Sequence, residues 1–199
     1  MNIPLTAEKI KSLLNNSGSK YSIWSIPGEG KYAAVLVPLI HDHGQWSILF
    51  TRRSDSVNDH KGQVSFPGGA IEPFDENPIA TALREAEEEI GLKPEYVKVL
   101  GELPPHESVT GYTIFPVVAQ IEWPVSLNIN PNEVSRVFTI PLDWLIKSEN
   151  YVIRDWLSPF GTRKGVVFYR PYDGEQLWGI SARILLDFLE KLGLISPQP

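Results

Sequence analysis

Glu85, Glu88 and Glu89 stand in one run, Arg84-Glu85-Ala86-Glu87-Glu88-Glu89-Ile90. On a helix, at about 100° per residue, the three fall within an arc of roughly 100°. They lie beside an apolar stripe of Ile79, Ala82, Leu83, Ala86 and Ile90, which must face a core. A solvated acidic face is the ordinary reading of such a run, but the energetics oppose it. Carboxylates three or four residues apart repel by a few tenths of a kcal/mol per pair, and near a helix C-terminus the dipole disfavours each anion by about 0.3–1 kcal/mol. Only Arg84 partly offsets them. The arrangement therefore expects a cation at this edge, and a hard divalent ion with carboxylate oxygen ligands fits it.

The element that must position these groups is well delimited. Asn77 is a favoured N-cap, Pro78 suits the first helical position, and Gly91 suits a left-handed stop, so a helix is predicted from about Pro78 to Ile90. The turn Phe66-Pro67-Gly68-Gly69 precedes it, and the stretch Phe66 to Leu92 organises the chain. Elsewhere, helical spacing behind Thr6 predicts a helix to Asn16, with a linker to residue 30. Strands are predicted over Lys31 to Ile40, Gln45 to Arg53, Tyr96 to Leu103, Gly111 to Glu122 and Val137 to Ile140, and a short Val64 to Phe66 segment feeds the glycine turn. Pro38 suggests an edge or a bulge in the first of these. A short helix follows Pro141, a strand Val166 to Tyr169 is reached through a Gly161 to Gly165 turn, and a final helix runs from about Ser181 to Leu192. This irregular alternation predicts an α/β fold, a sandwich around a mixed sheet.

Composition narrows the function classes. The 199 residues are most simply one domain, 1–199, and 42% hydrophobic with 21% charged is ordinary for a globular protein. A net charge of −6 argues against a general affinity for nucleic acid, and the lack of cysteine excludes disulfides, thiolate zinc sites and a cysteine nucleophile. No run approaches the roughly 20 apolar residues that span a bilayer, and the N-terminus lacks a signal-peptide core, so the cytoplasm is expected.

Gly69 followed by Arg84-Glu85-Ala86-Glu87-Glu88-Glu89-Ile90-Gly91-Leu92 resembles the Nudix box, G-x5-E-x7-R-E-U-x-E-E-x-G-U. The second half matches throughout if Ala86 serves as the aliphatic U. In the first half the expected Glu is Asp75, and one extra residue separates it from Arg84, which leaves Asp75 and Glu76 as alternatives. The resemblance implies a Nudix-type α/β/α sandwich and Mg²⁺ or Mn²⁺ bound by Glu85, Glu88 and Glu89. It further implies catalysis that uses Glu88, with Arg84 orienting the glutamates, and Gly68 and Gly69 letting backbone approach metal or phosphate. A loop acid often supplies the general base in this superfamily; Glu133 is favoured over Glu107 for that role.

Leu49-Phe50-Thr51-Arg52-Arg53-Ser54, Gly62 and Phe66-Pro67-Gly68-Gly69 are similar to the signature of the coenzyme A diphosphatase branch, L-L-T-x-R-[SA]-x3-R-x3-G-x3-F-P-G-G. The second signature arginine is Asn58 here. LPPHESVTGYTIFPVV, EVSRVFTIPLDWL and LWGISARIL extend the likeness over roughly Ala33 to Leu189. The implied substrate is a small molecule, coenzyme A and its acyl derivatives, cut at the diphosphate into 3′,5′-ADP and 4′-phosphopantetheine. Asn58 keeps ADP-ribose and NADH as alternatives, and a non-catalytic nucleotide-binding module is disfavoured because no box glutamate is missing. Arg52, Arg53 and Lys61 are the candidate phosphate contacts. A homodimer is left open. His41-Asp42-His43 reads as a solvated turn, and most of the six tryptophans read as core.

Overall fold

The computed structural model describes residues 5–15, 30–55, 62–158 and 161–197; much of the predicted linker, with Asn58 and Lys61, lies outside them. Its helices are α1 (Ala7–Asn15), α2 (Pro78–Ile90), α3 (Leu142–Leu145) and α4 (Gly179–Lys191). Its strands are β1 (Lys31–Asp42), β2 (Gln45–Arg53), β3 (Val64–Ser65), β4 (Gly68–Ala70), β5 (Val97–Glu102), β6 (His106–Glu107), β7 (Tyr112–Ile121), β8 (Val134–Pro141), β9 (Tyr151–Ser158) and β10 (Gly161–Tyr169). Strands β1 to β8 form one sheet in the order β3-β2-β1-β7-β5, with β4 on β1, β6 on β7 and β8 on β2. The β1–β7 pair is parallel and its neighbours are antiparallel, so the sheet is mixed as expected.

Strand β1 is apolar on both sides because both faces of the sheet are covered. Ala34, Leu36 and Ile40 pack with Ala82, Ala86 and Ile90 of α2. Val37 and Leu39 point the other way, into a core shared with Ile10 and Leu14 of α1, Leu142 and Leu145 of α3, and Leu185 and Phe188 of α4. The result is an α/β/α sandwich. The antiparallel pair β9–β10 adds Tyr151, Val167 and Tyr169 to the second core.

Three local expectations are corrected. Pro38 lies at neither an edge nor a bulge, since β1 pairs with β7 through Lys31 to Ile40. Leu36 donates its amide to Pro67 on the opposite side, so two residues later the Pro38 nitrogen faces the gap where β4 ends and β2 begins as partner. A missing donor costs nothing there. The segment from Gly161 to Gly165 belongs to β10, whose register shifts between Arg163 and Val166, and it pairs with a strand, β9, that its mixed sequence concealed. Finally, β8 starts at Val134, three residues earlier than predicted, because Arg53 offers it a partner.

Helix α2 has the predicted ends. The Asn77 side chain accepts the Ala80 amide at 2.9 Å, and Gly91 at φ 67° gives its amide to Glu87. A Cβ on Gly91 would sit 2.7 Å from the Asn128 backbone nitrogen, which itself donates to Ile90. Removing the cap with Asn77→Ala is expected to cost about 1 kcal/mol, seen as a fall in Tm of about 2–4 °C. Gly91→Ala, which adds backbone strain to a close contact, is expected to lower Tm further in the same thermal denaturation series.

Candidate active site

Arg84 is the hub of the carboxylate edge. Its Nε and one terminal nitrogen form a fork on Asp75, at 3.0 and 2.9 Å, and the same terminal nitrogen donates to the Ala70 carbonyl at 3.1 Å. The other terminal nitrogen reaches Glu85 at 2.8 Å and Glu88 at 3.2 Å. Asp75 is held in turn by the Glu72 amide and the Thr81 hydroxyl, each at 2.9 Å. Burial by itself would raise the Asp75 pKa, but the bonds from Arg84, Glu72 and Thr81 outweigh it and keep the carboxyl below its usual range. Asp75 hydrogen bonding raises Arg84 in return. Asp75 is thus the partner of Arg84, whereas Glu76 is exposed.

The glycine turn meets α2 at close quarters. Val35 pairs with Gly68 and Ala34 with Gly69. A Cβ on Gly68 would lie 2.3 Å from the Ala34 carbonyl, and one on Gly69 would lie 2.4 Å from the Glu85 carboxylate. The Gly68 amide donates to Glu89 Oε2 at 3.3 Å. Glu89 is only 4% exposed, and its Oε1 is 3.9 Å from an Arg53 terminal nitrogen. Among the described residues Arg53 Nε, which is buried, has no hydrogen-bond partner. Burial, with the negative charges of Glu85 and Glu133 nearby, outweighs Arg53 and pushes Glu89 up to about 8. Burial also raises Glu85.

Glu133 reaches this cluster through the loop at 123–133. Asn128 and Asn130 donate their amides to Ile90 and Glu89, satisfying carbonyls that the end of α2 leaves open. Asn130 then bonds the Glu133 carboxylate at 3.1 Å, and the Ser54 amide holds the Glu133 carbonyl at 2.7 Å. Glu107 lies on β6, beyond β7 from β1, and is exposed. Arg52 does not join Arg53. Strand alternation sends it to the other face, where Glu175, Asp55 and Ser135 surround its guanidinium. Lys61 lies outside the described residues. Thr81 and Asn130 were not anticipated, although a lone Thr beside the apolar stripe was a readable signal for the first.

Among the described residues no three acidic or imidazole side chains converge on one point. Arg84 draws Glu85 and Glu88 to itself, while the Gly68 amide and Arg53 engage Glu89. The donor set still suits a hard divalent cation: it is all oxygen, partly dry and in excess of the positive charge that faces it.

The described residues form a mixed sheet sandwiched by helices, with a glutamate-rich helix edge packed against a glycine turn. Residues 30–158 match the NUDIX domain, and the chain belongs to that family. It is 41% identical over 155 residues to the uncharacterized Nudix hydrolase NudL of Photorhabdus laumondii, covering 78% of this chain and 81% of that one. With its counterpart of the same name in Escherichia coli K12 it shares 38% identity over 164 residues, 82% of this chain and 84% of the other. A MutT/nudix family protein of Enterococcus faecalis has the same fold, with a TM-score of 0.55 at 12% identity over 96% of this chain and 76% of that chain. The chain is thus a Nudix hydrolase of nucleoside diphosphate derivatives, a family that generally uses divalent metal ions.

Glu89 keeps its proton to about pH 8 in the folded chain, against an ordinary value of 4.5. The unfolded state therefore binds fewer protons across that interval, and stability falls as pH rises through it. Tm of the metal-free protein is expected to decline from about pH 5 to about pH 8. Glu89→Gln is expected to flatten this slope; a variant that keeps it would assign the effect to other groups.

Proposed function

We propose that this chain hydrolyses the diphosphate of coenzyme A, and of its acyl derivatives, to 3′,5′-ADP and 4′-phosphopantetheine. One observation carries the reading: the two segments that resemble the coenzyme A branch meet at the carboxylate edge, Arg53 beside Glu89 and Gly68 bonded to it. Glu85, Glu88 and Glu89 are the ligands for Mg²⁺ or Mn²⁺. Bound there, the ion would neutralise phosphate oxygens and lower the pKa of the attacking water. Arg84 keeps Glu85 and Glu88 aimed at the site through its fork on Asp75. The Arg53 guanidinium, partly exposed beside Glu89, is assigned to a phosphate oxygen, and the Gly68-Gly69 turn, packed on Glu85 and bonded to Glu89, keeps the backbone close to the metal ligands. Glu133, oriented by Asn130, takes the proton from water. Arg52, facing away, is assigned to holding β2 and β8 against the segment that carries Glu175.

A second reading, hydrolysis of ADP-ribose or NADH, is supported by Asn58 in place of the signature arginine. Comparing kcat/KM for coenzyme A, an acyl-coenzyme A, ADP-ribose and NADH with each metal separates the two, and coenzyme A is expected to lead. A wide lead for ADP-ribose would reject the first reading and keep the chemistry. Glu88 is half exposed, so Glu88→Gln is expected to preserve the fold while losing most turnover. Near-normal activity would remove Glu88 from the site.

A further inference from the structure

Phe74 lies in the connection between β4 and α2, one residue before the buried Asp75, and is 71% exposed. Scattered exposed apolar side chains need no explanation in themselves. This one is distinguished by where it stands. The Arg84 guanidinium carbon lies 5.6 Å from the centre of its ring, and Arg84 is the residue bonded to Glu85 and Glu88. Its backbone is also pinned: the Asp75 amide bonds the Glu72 carbonyl at 3.0 Å, and the Asp75 carboxylate accepts the Glu72 amide. A rigid turn thus displays a phenyl ring at the rim of the carboxylate edge.

The edge has two unlike ends. Toward the C-terminal part of α2, the Arg53 guanidinium stands by Glu89. Toward the N-terminal part, the rim is the apolar ring of Phe74. Coenzyme A, the substrate of the reading on which this inference rests, is unlike in the same sense. One side of its diphosphate carries a nucleotide with an additional phosphate, and the other carries the pantetheine arm with its geminal methyl groups.

We propose that Phe74 is a specificity-determining residue that packs against the pantetheine arm, so that the substrate lies with its nucleotide toward Arg53 and its arm toward Phe74. The ring becomes covered when the arm binds, and the contact raises affinity for substrates whose second half is apolar. It contributes little to a polar second half such as a ribose.

The test is calorimetric binding of 4′-phosphopantetheine and of 3′,5′-ADP, each with Ca²⁺ present, to the wild type, Phe74→Ala and Phe74→Leu, together with KM and kcat on coenzyme A and ADP-ribose. Phe74→Ala is expected to weaken phosphopantetheine binding and raise KM for coenzyme A by about fivefold to tenfold. The affinity for 3′,5′-ADP and the KM for ADP-ribose should each move less than about twofold. Phe74→Leu, still apolar, should recover most of the lost affinity. The proposal is overturned if 3′,5′-ADP is the ligand that weakens, if neither ligand weakens, or if kcat drops equally on both substrates. The last result would mean that the ring acts through Arg84. Wild-type preference for ADP-ribose over coenzyme A would reject the substrate reading separately, and the product-binding series would still decide the role of Phe74.

Discussion

The site depends on the fork between Arg84 and Asp75. A guanidinium that made only the contacts to Glu85 and Glu88 would be a mobile surface cation on an acidic helix. Asp75, itself fixed by the Thr81 hydroxyl and the Glu72 amide, takes two of its donors and sets its plane. The remaining terminal nitrogen is then directed at Glu85 and Glu88. Loss of Asp75 would take away the fork that fixes the guanidinium plane, while Glu85 and Glu88 would still offset its charge. The turn after β4, the start of α2 and the carboxylate edge are therefore one electrostatic unit.

The other end of α2 is organised by backbone bonds. A helix ending in glutamates has an unfavourable dipole and unsatisfied carbonyls at the same place. The amides of Asn128 and Asn130 meet the carbonyls of Ile90 and Glu89, and Gly91 lets the loop come close enough to do so. The same loop supplies Glu133. One segment thus caps the helix and delivers a further carboxylate to it, which increases the repulsion that lifts Glu89. Negative charge at this edge thus exceeds what Arg53 and Arg84 offset.

The sheet decides which charges can cooperate. Arg52 and Arg53 are adjacent in sequence, yet alternation along β2 places Arg53 by Glu89 and Arg52 on the far side with Glu175. Arg136, paired with Arg52 across β2 and β8, binds Glu175 and Asp173 there as well. Two arginines of equal standing in the chain thereby acquire different neighbours, one at the carboxylate edge and one bridging the sheet to the segment after β10.

By itself the sequence determined the local features: the helix Pro78–Ile90 with its Asn77 and Gly91 ends, the grouping of Glu85, Glu88 and Glu89, and the α/β class. These follow from short-range rules of capping, periodicity and like-charge repulsion. It also exposed the Nudix likeness, because that motif lies in one continuous stretch. Only the tertiary structure decided that Asp75 and not Glu76 anchors Arg84, that Pro38 sits harmlessly at a change of strand partner, and that Glu133 lies nearer the helix edge than Glu107 does. It likewise separated Arg52 from Arg53 and put Phe74 over Arg84. Each of these depends on which strands become neighbours and which face a side chain takes, and such relations between distant segments come into being only when the sheet closes around β1.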